Sequence, residues 1–290
     1  MAPRLDQQAR LTVGATSYFV ATGGEGPPLL LLHGFPETHV CWQRIAPLLA
    51  ASHGIVAPDL KGYGASEAPA GGAKGEGYSK REMASELVDL MGALGHERFA
   101  VVGHDRGARV AYRLALDHPE RVTHVALLNV VPTVDQFERM GAGPSLGYWP
   151  WFLLAQPAPF PEEVFGAAPG ALLDHVFATW PSDPDAISPE RRAAYLEALT
   201  PSTIASICAD YRASFHLDRE HESADRAAGR RIAAPTLIVI GEDETQLADA
   251  PDVWRAWADD LTATRVPGGH FVPEEAPEQL GDALKSFLAG

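Results

Sequence analysis

Cysteine is scarce: the chain has only Cys41 and Cys208, far apart and without CxxC spacing. That excludes a disulfide framework and a cysteine-based zinc site, and predicts two buried thiols. Basic residues are outnumbered, 23 Lys and Arg against 38 Asp and Glu, for a formal net charge of −15. Nucleic acid and anionic membrane surfaces both require a concentrated positive face, so neither is expected as a partner. A small anionic substrate is compatible if a few cations gather locally. No apolar stretch reaches the roughly 18 residues that span a bilayer, and residues 1–16 hold charges and glutamines where a leader would be apolar. A cytoplasmic location is the default expectation. There is no internal repeat, and low complexity is confined to residues 68–77, which read as a flexible surface loop.

What is present is globular. Hydrophobic residues make up 46% of the chain, with six Trp and eleven Phe, so a sizeable core can form. A length of 290 residues suits one α/β body with an insertion. Apolar runs at 29–32, 54–57 and 99–102 alternate with helical patterns at 40–50 and 80–94. Buried parallel strands read as continuous apolar runs, and the βαβα alternation predicts a mostly parallel, doubly wound sheet with right-handed crossovers. A helix over 108–116 should stop near His118-Pro119, followed by a strand over 122–130. Strand pattern returns only at 235–240 and 263–266, before a terminal helix at 277–288. Between them lie Trp149, Trp151, Trp180, many prolines and helical patterns at 168–179 and 189–199. The expectation is a helical cap at 131–225, its aromatics facing a pocket, inserted between core segments 1–130 and 226–290.

Three motifs carry chemistry. Gly103-His104-Asp105-Arg106-Gly107 follows an apolar strand and opens a helix, the context of a nucleophile elbow. Its central residue, usually serine, is Asp105. A carboxylate is already nucleophilic at neutral pH and can displace a leaving group to form an ester on the enzyme. The helix starting at Arg106 directs its positive end at Asp105 and favours the ionised form. The second motif, His33-Gly34-Phe35-Pro36 after a strand, places the Phe35 and Arg106 amides to form an oxyanion hole. The third is His270 after Gly268-Gly269, in the chain order that puts a base last, where it would activate water against the ester. His104 reads as elbow packing.

With these motifs the chain resembles the fluoroacetate or haloacetate dehalogenases of the α/β-hydrolase superfamily. The likeness covers 33–42, 59–66, 103–116, 154–159, 208–213 and 269–277. It implies an α/β-hydrolase fold with a cap, hydrolytic loss of halide from a 2-haloacid through an aspartyl ester, no metal or organic cofactor, and a homodimer. The family's carboxylate-binding arginines match Arg106 and Arg109. Residues three apart share a helix face, and guanidinium forks suit a carboxylate; without the resemblance, a structural ion pair explains Arg109 equally well.

The family's cap Trp and Tyr, donors to the departing halide, match Trp151 and Tyr211. Its cap histidine is Pro150 here, which donates from neither side chain nor backbone. Chloride and bromide are therefore expected to be favoured over fluoride, the poorest leaving group. The family's histidine-orienting acid falls at Asn129, which carries no charge. The superfamily's alternative site is the loop Gly241-Glu242-Asp243-Glu244, where Glu244 fits best and Asp243 next; Asn129 orienting the ring alone is the third reading. Two other functions compete: an epoxide hydrolase, sharing nucleophile, base and cap tyrosines, and a non-catalytic ligand-binding protein of the same fold, which would be expected to lose Asp105 or His270.

Overall fold

The structure is a computed structural model and describes Leu5 and residues 7–290. Eight strands form one sheet: β1 (Gln7–Val13), β2 (Thr16–Gly23), β3 (Pro28–Leu32), β4 (Gly54–Pro58), β5 (Phe99–His104), β6 (Val122–Leu128), β7 (Thr236–Gly241) and β8 (Leu261–Val266). Their order is β1-β2-β4-β3-β5-β6-β7-β8. The β1–β2 and β2–β4 pairs are antiparallel and all the others parallel.

The apolar runs divide their side chains between two cores by the two-residue period of a strand. Leu30, Leu32, Val101, Leu127 and Ile238 belong to one cluster, and Leu29, Leu31, Val102, Ala126 and Val239 to the other. The first face is covered by α1 (Lys80–Ala93) and α2 (Arg106–Asp117), and the second by the Ala46–Leu49 turn and α9 (Pro277–Leu288). Each fully buried leucine of β3 contributes on the order of 2 kcal/mol by leaving water. Ser79 caps α1, its hydroxyl accepting the Glu82 N–H while Glu82 reaches back to the Ser79 amide.

Between β6 and β7 the chain is helical, with α3 (Trp149–Leu154), α4 (Phe160–Ala167), α5 (Pro169–Thr179), α6 (Pro189–Glu197), α7 (Pro201–Ala213) and α8 (Arg219–Ala227). A π-helical turn, Ser214–Asp218, joins α7 to α8. Both cysteines are free and buried. Among the described residues no helix is long and apolar enough to cross a membrane.

Two local expectations change. The predicted 40–50 helix is two short pieces, His39–Gln43 and Ala46–Leu49, because Pro47 cannot extend a helix begun before it. The 122–130 strand stops at Leu128, since Asn129 takes φ 54°. The segment 68–77 is a mostly exposed loop as expected, anchored where Tyr78 donates to Pro69 O at 2.7 Å and packs its ring with Ala209 and Ala213 of α7. The β1–β2 hairpin was not predicted; it turns at Gly14-Ala15 with Gly14 at φ 56°.

Candidate active site

The elbow depends on residues small enough to let backbone meet backbone. β5 is buried throughout, and Asp105 takes φ 44°, ψ −111° before α2 begins. A positive φ is costly for a residue with a Cβ, so the surroundings impose it. A Cβ on Gly107 would lie 2.2 Å from Leu32 O and 2.4 Å from His33 O, neither of which can yield. Gly107→Ala is therefore expected to cost about 3 kcal/mol of stability, read as a lower Tm; an unchanged Tm would contradict this packing.

Asp105 Oδ2 accepts the Phe35 N–H at 3.0 Å. Arg106 is the first residue of α2, where an amide has no intrahelical acceptor. With Oδ2 engaged, Oδ1 has no hydrogen-bond partner among the described residues. Burial alone would raise the Asp105 carboxyl, but His270, Arg106, His104 and Arg109 offset it and hold it below the ordinary aspartate value.

His270 presents Nδ1 to Glu244 Oε1 at 3.3 Å, and its Nε2 has no partner among the described residues. A carboxylate at Nδ1 selects the tautomer whose Nε2 is a free base. Burial would lower the imidazole, yet the hydrogen bond and charge of Glu244, with the charge of Asp105, raise it above its ordinary value. A base works when neutral, so any step it drives should gain rate as pH rises through that raised pKa. Glu244→Gln removes charge that stabilises the imidazolium. The acid limb of the kcat profile is expected to move to lower pH by about one unit, with a lower plateau; a limb that stays in place would remove Glu244 from this role.

The other two acid candidates lie elsewhere. Asp243 Oδ2 accepts from Ser182 Oγ at 2.6 Å. Asn129 donates from Nδ2 to Gly269 O (2.9 Å) and His270 O (2.7 Å), and its Oδ1 accepts the Gly241 N–H at 2.8 Å. It fixes the backbone of the histidine loop rather than the ring. His104 does more than pack: its Nδ1 meets Glu37 Oε2 and its Nε2 meets the His270 carbonyl, both at 2.8 Å. Both members of the Glu37–His104 pair are buried, so the pair links the Phe35 loop to the backbone of the His270 loop. Glu37 was not singled out in the sequence; its place directly after His33-Gly34-Phe35-Pro36 was the available signal.

The two arginines are partly committed. Arg106 donates from Nε to Asp210 Oδ2 (2.9 Å) and from Nη2 to Asp210 O (3.1 Å) and Ser214 Oγ (2.7 Å), but its buried Nη1 has no partner among the described residues. Asp210 also binds Lys80 and accepts from Tyr63 Oη at 2.8 Å. The Arg106 guanidinium lies 4.2 Å from the Tyr211 ring centre and 4.9 Å from that of Trp151. Arg109 stacks on Trp151 at 4.6 Å and donates to Val131 O (3.1 Å) and Thr133 Oγ1 (3.0 Å), both neutral. Among the described residues it makes no ion pair, and its Nε is unpaired.

These groups surround a cavity of about 190 Å³ lined by Asp105, His270 and Glu244 with Tyr148, Pro150, Trp151, Trp180 and Tyr211. Neither arginine side chain is among its lining residues. Trp180 packs edge-on against His270, 5.0 Å between ring centres, and Tyr211 against Phe35 at 5.6 Å. Burial holds the Tyr148 hydroxyl well above its ordinary pKa, so it remains a donor.

An aspartate at a strand-to-helix elbow, an amide on its inner oxygen and a carboxylate-oriented histidine define a hydrolase of the α/β class. The profile of the α/β hydrolase fold family matches residues 27–277. A fluoroacetate dehalogenase from a Burkholderia species is 39% identical over 281 residues, 96% of this chain and 92% of that protein. A soluble epoxide hydrolase from Corynebacterium sp. strain C12 is 28% identical over 100% of this chain and 99% of its own length. A crystal structure from Nostoc sp. PCC 7120, provisionally assigned as an α/β hydrolase, superposes with a TM-score of 0.94 at 42% identity, covering 97% of each chain. The chain belongs to the α/β-hydrolase superfamily and, within it, to the family of the fluoroacetate dehalogenases.

Proposed function

We propose that this hydrolase removes halide from small 2-haloacids, with chloride and bromide favoured over fluoride. The observation that carries the reading is the Arg106 guanidinium: fully buried, stacked on the cavity-lining rings of Trp151 and Tyr211, and with Nη1 unpaired among the described residues. A desolvated cation with a free donor favours an anion, and a substrate carboxylate supplies one. Arg109, on the same helix face, adds a second positive charge without an ionic partner of its own.

The steps balance. Asp105 Oδ1 attacks the α-carbon, the carbon–halogen bond breaks, and halide leaves with the bonding pair, with Trp151 and Tyr211 as donors. Attack from one side inverts a chiral α-carbon. Water then loses a proton to His270 Nε2 and adds to the Asp105 Cγ. The oxyanion develops on Oδ2, against the Phe35 and Arg106 amides; on collapse the leaving alkoxide takes the proton from His270 and departs as the 2-hydroxy acid, and the Asp105 carboxyl loses its own proton to solvent, which regenerates both residues. Glu244 stabilises the imidazolium formed on the way.

A second reading, epoxide hydrolysis, draws on a specific observation: Tyr148 and Tyr211 line the same cavity as Asp105 and could donate to an epoxide oxygen. The relative from Corynebacterium bears that activity in its name.

Halide release from fluoroacetate, chloroacetate and bromoacetate, with styrene oxide assayed alongside, separates the two. Chloride and bromide released at least about tenfold faster than fluoride is the result expected with Pro150 in place of a donor, a fluoride barrier higher by about 1.4 kcal/mol. Turnover of the epoxide with no halide from any acid would replace the first reading by the second.

A further inference from the structure

One carboxylate outside the proposed chemistry binds the base loop from both sides. Glu275 Oε2 accepts the Gly269 N–H at 3.0 Å and Oε1 the Phe271 N–H at 2.9 Å, so the amides before and after His270 share one side chain. The same Oε2 accepts the Ser182 N–H at 2.7 Å, with the Asp183 N–H at 3.4 Å, and these belong to the loop that follows α5 between β6 and β7. The links run both ways. The His270 N–H donates to Trp180 O at 3.1 Å, and Ser182 Oγ donates to Asp243 in the Glu244 loop. Removing the Glu275 carboxylate would leave backbone donors unpaired in two loops together, which folded chains avoid. The neighbouring Glu274 is engaged differently, by Tyr195 Oη at 2.6 Å and Arg191 at 2.5 Å, both on α6.

We infer that Glu275 is a positioning residue for ester hydrolysis: it ties the Trp180–Asp183 loop to the His270 loop and so holds the base against the ester. The inference rests on Asp105 as nucleophile and His270 as base. The Asp105 carboxylate accepts from Phe35 and the Arg106 guanidinium donates to Asp210 and Ser214, and among the described residues none of these three is hydrogen-bonded to the Glu275 side chain. Ester formation should therefore be spared while hydrolysis, which needs Nε2 correctly placed, is not.

The test compares wild type, Glu275→Gln and Tyr195→Phe by quenched-flow with bromoacetate, following halide release and the mass of the ester-bearing protein. In Glu275→Gln, hydrolysis is expected to slow about 100-fold, the order of loss that a misplacement of about 1 Å produces, so ester accumulates while its formation is nearly unchanged. Tyr195→Phe, which removes a nearby bond to Glu274, should leave this partition alone. Equal slowing of both steps in Glu275→Gln, or no slowing, overturns the inference. Amide hydrogen exchange tests the link without a substrate: 182–183 and 269–271 should exchange on the order of tenfold faster together. Protection retained at 182–183 overturns it. Failure of the haloacid reading is seen separately, as absence of ester from bromoacetate in wild type and His270→Gln while the exchange result stands.

Discussion

Asp105→Asn is expected to lose turnover by on the order of 10⁴-fold or more, the scale seen when a nucleophile is removed from an otherwise intact site. Asparagine matches aspartate in size, and its amide oxygen can still accept the Phe35 N–H that now meets Oδ2. What disappears is the anion that attacks carbon. Folding should survive, because the substitution removes a buried charge at a strained position rather than a packing atom. The measurement is halide release together with protein mass after incubation with bromoacetate: wild type passes through the ester, whereas the variant gains no mass. Halide released by the variant at the wild-type rate would overturn nucleophilic catalysis at this residue and demand direct attack by water. Loss of halide release with ligand binding retained would separate the enzyme from the ligand-binding alternative, for which neither protein should turn over.

Asp210→Ala should cause the largest loss of stability, about 4 kcal/mol, because it strands two buried cations. Lys80, Arg106 and Asp210 are almost fully shielded from solvent, and Asp210 is the carboxylate between the other two. Burial alone would raise the Asp210 carboxyl, but Arg106 and Lys80 hold it far below the ordinary aspartate value. A depressed folded pKa stabilises the fold above the unfolded pKa and loses that stabilisation only as pH falls through the folded value. The deficit of the variant should accordingly be constant from about pH 5 to 8 and shrink only in strong acid. A loss of this size corresponds to a Tm lower by on the order of 10 °C. Asp210→Asn, which keeps the shape, should fall in between and weaken haloacid binding by releasing Arg106. A Tm within a degree or two of wild type for Asp210→Ala would show that the three residues are not the coupled unit described here.

The core and the three chemical motifs were legible in the sequence because each depends on local order along the chain. Continuous apolar runs marked β3, β5, β6 and β7 within a residue or two, since strands covered on both faces need no polar alternation. The elbow announced itself because a sharp turn with backbone on both sides requires Gly103 and Gly107 whatever the rest of the protein does. The breaks at Pro47 and Asn129 were harder to see, because a hydrophobic pattern continues through a position where the backbone cannot.

What the sequence by itself determined, then, was the class of fold, and it singled out Asp105 and His270, the proposed nucleophile and base, which line one cavity. Tertiary structure decided which carboxylate meets the base, because residues 129, 243 and 244 are all near enough in topology and only Glu244 reaches the Nδ1 of His270. It also decided that Arg106 is held by Asp210, 104 residues away, and that Glu37 meets His104 behind the site. Such pairings join segments whose separation along the chain carries no information about distance. They are fixed only when burial removes water and each buried donor and acceptor must find its partner within the protein.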